Sequence, residues 1–154
     1  MKVHSILPGM LYQRGKFIGL QRADKLETLR RCGIDVVVNL IKDVDIDIIS
    51  SLYKYIHVPV SDNRNAIARL VALSVEVTDL IFDGHVVLTH CNAGRNRSGF
   101  LNALVVREIL GVSGDVAMEI VRRGRPNALD PDETNGFIEY LGTLAVLDED
   151  TIVP

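Results

Sequence analysis

The chain has 154 residues, 47% of them hydrophobic and 24% charged, with a formal net charge of −3; this is the balance of one globular domain, spanning residues 1–154, that can bury its own core. Disordered, collagen-like and disulfide-framework classes are excluded, and the mild acidity removes any bulk attraction to nucleic acid or to a membrane. Cys32 and Cys91 form no Cys-x-x-Cys pair, no apolar run approaches bilayer-spanning length and no secretory leader is visible, so the expectation is a cytoplasmic monomer in a reducing compartment.

Pro8-Gly9-Met10-Leu11-Tyr12 and Lys16-Phe17-Ile18-Gly19 read as two short strands around a turn at Gly15. Asp24 to Arg31 has the spacing of an amphipathic helix stopped by Gly33. Asp35 to Leu40 is β-branched and too short for a helix, the pattern of a strand buried on both faces. Tyr53 to Val58 is a further strand ending at Pro59, and Ala66 to Phe82 repeats apolar residues at helical intervals up to Asp83-Gly84. His85 to Thr89 is the central strand, followed by a turn from Cys91 to Arg97 and a helix from Gly99 to Leu110. Helices at about Gly114 to Arg123 and Asp132 to Leu147, the latter with Pro131 in its first turn, complete the chain. Strands alternating with helices predict an α/β fold with a central, mostly parallel sheet of four to five strands flanked by helices.

Chemistry concentrates in His90-Cys91-Asn92-Ala93-Gly94-Arg95-Asn96-Arg97-Ser98, where a strand ends and a helix begins. Ligands bind at that end of such sheets. A cysteine at a helix N-terminus lies at the positive end of the macrodipole, which favours a thiolate. The same converging amides suit a phosphate dianion, and Arg97 adds a planar fork that can hold two phosphate oxygens. Gly94 lets the backbone turn inward without a Cβ clash.

This segment resembles the signature loop of the cysteine-dependent protein tyrosine phosphatases, and the whole chain resembles their small dual-specificity branch. Pro8 to Tyr12 is similar to the family's opening strand, Val37 to Leu40 to a second strand, Val58 to Asp62 to the segment bearing the general acid, and Ala117 to Pro126 to the closing helix and Arg-Pro turn. The resemblance implies that Cys91 attacks phosphorus to give a cysteinyl phosphate, and that Arg97 with the amides of Asn92, Ala93, Gly94, Arg95 and Asn96 holds the phosphoryl oxygens. It implies that Asp62 protonates the leaving oxygen and later activates water, that Ser98 donates to the sulfur, and that His90 supports the loop by hydrogen bonds. No metal and no cofactor is implied.

Each residue also has a plainer reading. Cys91 as an inert buried thiol and Arg97 as a surface arginine are disfavoured by their joint spacing, while Asp62 could serve only as a turn or cap and Ser98 only as an N-cap. Asp43, Asp45 and Asp47 read as a solvated loop, His4, His57 and His85 as structural, and Cys32 as a buried thiol, with a redox link to Cys91 as its minor alternative. Residues 19–39 contain no aromatic residue, so the tyrosine-bearing loop that deepens classical tyrosine phosphatase pockets is missing. A phosphorylated protein bearing phosphotyrosine or phosphoserine/threonine is the expected substrate. The alternative is an RNA 5′-phosphatase or another non-protein phosphatase (phosphoinositide, glucan), for which Arg95, Arg122, Arg123 and Arg125 could form a basic rim, although solvated helix-end arginines are the more economical reading of the four; nucleic acid is a partner only under that alternative. A catalytically silent phosphate-binding module is the third reading.

Overall fold

In the computed structural model, described for residues 2–147 except 18 and 134, strands β1 (His4–Leu7), β2 (Leu11–Arg14), β3 (Val36–Asn39), β4 (Lys54–His57) and β5 (Val87–His90) form one sheet in the order β1-β2-β5-β3-β4. The sheet is parallel except for the β1–β2 hairpin. Helices α1 (Arg22–Cys32) and α2 (Ile46–Ile49) lie on one side; α3 (Ile67–Phe82), α4 (Arg97–Leu110), α5 (Gly114–Gly124) and α6 (Phe137–Gly142) pack on the other.

Strand alternation explains the two cores. Val36 and Val38 point to the α3–α6 side with Val87, while Val37 and Leu88 point to the α1 side against Leu29 and Ile34. α3 buries Leu70, Leu73, Val77 and Ile81, one stripe of a helix. α4 runs through the middle of its layer with Phe100, Leu101, Ala103, Val105 and Val106 buried.

Three expectations are corrected. The hairpin turns at Pro8-Gly9, where Gly9 has φ 76° and Met10 N–H donates to Leu7 C=O, so its strands are β1 and β2. Pro followed by Gly at positive φ is a turn in its own right. Lys16 and Phe17 are not in a strand, and Ile18, in the second expected strand, lies outside the described residues. The last helix is only Phe137–Gly142; Pro131 and Asp132 lie in a turn, and Thr134, within the expected span, lies outside the described residues. The acidic segment also contains α2, capped by Asp45, and Lys25 pairs with Asp45 and Asp47 at 3.1 and 3.0 Å, so only Asp43 of the three is exposed.

Register fixes the position of the site. Arg14 of β2 and Asn39 of β3 both pair with His90, the last residue of β5. The carboxyl ends of three adjacent parallel strands thus finish level, and residue 91 emerges between them.

Candidate active site

Residues 91–96 make the turn from β5 into α4, and their conformation follows from where their carbonyls are held. Asn92 C=O accepts from Lys16 N–H at 3.2 Å. Ala93 C=O accepts from Arg125 Nη2 at 3.3 Å, and Gly94 C=O from Gln13 Nε2 at 2.8 Å and Arg125 Nε at 3.2 Å. Arg95 C=O accepts from Leu129 N–H at 3.3 Å. In a planar trans peptide the N–H points opposite to the C=O. Four carbonyls anchored outward therefore turn the N–H groups of Ala93, Gly94, Arg95 and Asn96 toward the centre of the turn, where they form an anion-binding nest.

The anchors are themselves buried and ordered. Gln13, fully buried, accepts from Asn102 Nδ2 at 2.8 Å, and Asn102 Oδ1 accepts from Thr89 Oγ1 at 3.1 Å. The chain Thr89–Asn102–Gln13–Gly94 links β5, α4 and β2 to the turn, and with every member satisfied it specifies one arrangement. Gly94 (φ 69°) also lies against β2: a Cβ there would meet the Arg14 carbonyl carbon at 2.3 Å.

Inside the turn, Cys91 is 2% exposed and its Sγ lies 3.3 Å from Ser98 Oγ. Ser98 sits in the first turn of α4 rather than capping it; the N-cap is Asn96, whose side chain makes no cap hydrogen bond. The first-turn N–H groups of α4 are thus left without a side-chain acceptor, at the positive end of the helix dipole. Arg97 is half-buried, and its Nη1 donates to Val60 C=O at 3.0 Å.

Asp62 is brought to the same place from the segment after β4. The capping task nearby belongs to Asn63, whose side chain accepts from Asn65 N–H and Ser61 Oγ at the 3-10 turn Arg64–Ala66. Asp62 itself accepts from Asn135 Nδ2 at 3.2 Å and Asn96 Nδ2 at 3.4 Å. A cavity of about 120 Å³ is lined by Asp62, Cys91, Arg97 and Glu133 with the turn residues 92, 93, 95 and 96. It lies beside a wider, open cavity of about 450 Å³ lined by Lys16, Ile41, Lys42, Asp43, Pro59, Val60 and Ser61 and sharing Asn92 and Arg97.

Two further expectations are corrected. His90 is 2% exposed and packs edge-on against Phe17, with neither ring nitrogen hydrogen-bonded among the described residues, so it supports the turn by packing. Burial pushes its pKa down to about 4, the nearby Cys91 main chain offsetting only part of this. Because its folded pKa lies below the unfolded value of about 6.5, this group's stabilising contribution is full above pH 6.5 and is lost as pH falls through 4, by up to about 3 kcal/mol. Urea midpoints measured from pH 7 to pH 4 are expected to fall for the natural chain, and to fall less for His90→Gln.

The second correction concerns the four arginines, read more simply as solvated helix-end groups than as a basic rim. Arg95 donates to Asn127 C=O and pairs with Asp130 at 2.9 Å, Arg122 donates to Ala128 and Leu129 C=O, and Arg125 is one of the anchors above. These guanidinium groups hold loops together, and of the four only Arg123 has no hydrogen bond or ion pair among those described.

His4, His57 and His85 bond to Gly124 C=O, Ile41 C=O and Asp35 respectively, as structural histidines. Cys32 is half-buried rather than buried, and both cysteines are free. Among the described residues no group of three His, Cys, Asp or Glu could hold a metal ion, and no helix is long and apolar enough to cross a membrane. Sequence reasoning missed Gln13, Asn102, Glu133 and Asn135, and named Arg125 without its role as an anchor of the turn. Only Asn102 carried a signal, as an amide inside a strongly apolar helix.

Comparisons with known proteins agree with this geometry. Residues 17–141 match the family described as dual specificity phosphatase, catalytic domain. The Cydia pomonella PTP-2 phosphatase superposes with a TM-score of 0.74 at 23% identity, covering 92% of this chain and 89% of its own. Human DUSP28 gives 0.70 at 21%, covering 92% and 90%, and the human tyrosine phosphatase-like serine/threonine/tyrosine-interacting protein gives 0.71 at 23%, covering 92% and 93%. At these identities the likeness is one of fold. A comparison with curated sequences returns no match. With four-fifths of its length matched and its nest of amides at the end of the central strand, the chain belongs to the dual specificity phosphatase catalytic-domain family, a branch of the cysteine-dependent protein tyrosine phosphatase superfamily, and is a phosphatase.

Proposed function

We propose that this chain hydrolyses phosphotyrosine and phosphoserine/threonine in proteins through a cysteinyl phosphate on Cys91. The observation that carries the reading is the meeting of Cys91, Arg97 and Asp62 around one small cavity that turn residues 92, 93, 95 and 96 also line. Cys91 Sγ attacks phosphorus, and the leaving oxygen takes a proton from Asp62. Arg97 exchanges its contact with Val60 C=O for the equatorial phosphoryl oxygens, which the nest amides also hold. Charge spread over three oxygens in a loose transition state is met by the nest amides, whose positions are fixed beforehand, and by the Arg97 guanidinium once it has turned to them. In the second half-reaction water displaces the sulfur, which departs as a thiolate toward Ser98 Oγ.

Breadth of substrate follows from the entrance. The segment from β2 to α1 is short, and the outer cavity is walled by Ile41, Pro59 and Val60 with no aromatic side chain, so a seryl or threonyl phosphate need not reach down a deep slot. Lys16, Lys42 and Arg97 share that cavity with Asp43, a cationic lining that suits a phosphorylated segment. A reducing cytoplasm, in which Cys91 remains a thiol, is the matching compartment.

Asp62→Asn keeps an acceptor for Asn135 or Asn96, though not for both, and removes the proton. On phosphotyrosyl and phosphoseryl peptides it is expected to lower kcat by about 10²–10⁴, and on an aryl phosphate whose leaving group needs no proton by much less. Equal loss on both substrate types removes Asp62 from the role of acid. Steady-state hydrolysis of the two substrate series decides.

A further inference from the structure

Glu133 stands out among the cavity residues because it comes from neither the nest nor the segment bearing Asp62. It is delivered by the stretch between α5 and α6, and that stretch is fastened down. Leu129 is 1% exposed and is held at φ 55°, a costly conformation for a branched residue. Its N–H donates to Arg95 C=O, and its own C=O accepts from Arg122 at 2.6 Å. Asp130 pairs with Arg95 and donates its N–H to Asn96 Oδ1 at 3.1 Å, and Glu133 N–H donates to Asp130 C=O. A strained, multiply tied backbone that ends by placing a carboxylate over the phosphate nest is costly to build for packing alone.

The side-chain geometry is specific. Asn96, only 6% exposed, spends its amide group on two carboxylates, donating to Glu133 Oε2 at 2.6 Å and to Asp62 Oδ2 at 3.4 Å. One amide thus spaces two carboxylates that both line the cavity containing Cys91. A neutral Gln at position 133 would accept the same hydrogen bond without setting a second negative charge beside Asp62 and an incoming phosphate, so hydrogen bonding does not explain the choice of an acid. Two carboxylates held apart at one reacting centre commonly divide acid and base work between them.

We infer that Glu133 is a second proton-transfer residue, the general base of the dephosphorylation half-reaction. Water adds to the phosphorus of the cysteinyl phosphate and passes a proton to Glu133. The P–S bond breaks with its electron pair going to Cys91 Sγ, and inorganic phosphate leaves. Glu133 then loses the proton to solvent, and the exposed Asp62 regains one for the next cycle. The first half-reaction stays with Asp62. This rests on the cysteinyl phosphate mechanism proposed above.

The test is rapid-quench kinetics with 4-nitrophenyl phosphate on the natural chain, Glu133→Gln, Glu133→Asp and Cys91→Ser, with acid-quenched protein weighed for a phosphate adduct. Glu133→Gln keeps the acceptor for Asn96. It is expected to release the first equivalent of nitrophenol within about threefold of the natural rate, to slow the steady state by about 10²-fold or more, and to accumulate phosphate on Cys91. Glu133→Asp, which keeps a carboxylate, is expected to recover part of the second step. The inference is overturned if Glu133→Gln slows both phases by the same factor, leaves both unchanged, or unfolds while Glu133→Asp folds and shows no selective slowing of the second phase. Retained turnover in Cys91→Ser overturns the underlying mechanism instead.

Discussion

Cys91→Ser is expected to lower turnover on every phosphomonoester by about 10⁴-fold or more, equivalent to about 5.5 kcal/mol of activation free energy, while leaving affinity for inorganic phosphate or tungstate within about threefold. The two halves of that expectation come from different atoms. Bond making needs a polarisable sulfur nucleophile, which a hydroxyl does not replace. Anion binding needs the N–H groups of residues 93–96 and Arg97, whose orientation is set by carbonyl contacts to Lys16, Gln13, Arg125 and Leu129 and not by the sulfur. Steady-state rates beside calorimetric titration with tungstate measure both at once. Activity within tenfold of the natural chain would remove Cys91 as nucleophile, and a parallel loss of anion affinity would mean that the sulfur helps to hold the nest open.

Gly94→Ala is expected to lower both stability and turnover although it alters no functional group. At φ 69° an alanine costs about 1–2 kcal/mol, and its Cβ would sit 2.3 Å from Arg14 C, 2.4 Å from Gly15 N and 2.5 Å from Arg14 O. These are main-chain atoms in or beside β2, which cannot yield without disturbing the sheet. The turn must therefore move, and Gly94 C=O loses Gln13 and Arg125. Gly33→Ala is the matched control: it has nearly the same φ, 70°, but nothing within 4 Å of the added Cβ. A loss of about 2 kcal/mol or more corresponds to a fall in Tm of about 4–8 °C for a chain of this size. Thermal melts should show a clearly larger drop for position 94 than for position 33, and misplacing nest donors should cut kcat by about 10²–10³. Equal melts with activity retained would show that the turn has room that the close approach denies.

How much of this was legible in the sequence depended on whether the signal was local. The run from His85 through Leu110 announced strand, anion-binding turn and helix, because its residue types and spacing act over a few positions. α3 was readable from a single apolar stripe. The hairpin lies earlier than Gly15 suggests: Pro8-Gly9 makes the turn, and Gly15 is small because a Cβ there would lie 3.2 Å from Asn92 C=O. The last helix is shorter than its residue types suggest because Glu133 and Asn135, which fit a helix well enough in isolation, are spent on tertiary contacts to Asn96 and Asp62. Asp62 was visible through its likeness to a known segment; Glu133 was not, since nothing near it in sequence marks which cavity it will reach.

The nest is fastened through main-chain acceptors, while the side chains of Asn92 and Ala93 project exposed and form no hydrogen bond among those described. Catalytic geometry and rim chemistry are thus written on separable parts of the same seven residues. Selection, or a protein engineer, can therefore retune which phosphate enters by changing positions 92 and 93 without retuning how the phosphate is held, so this site is expected to drift in specificity much faster than in mechanism.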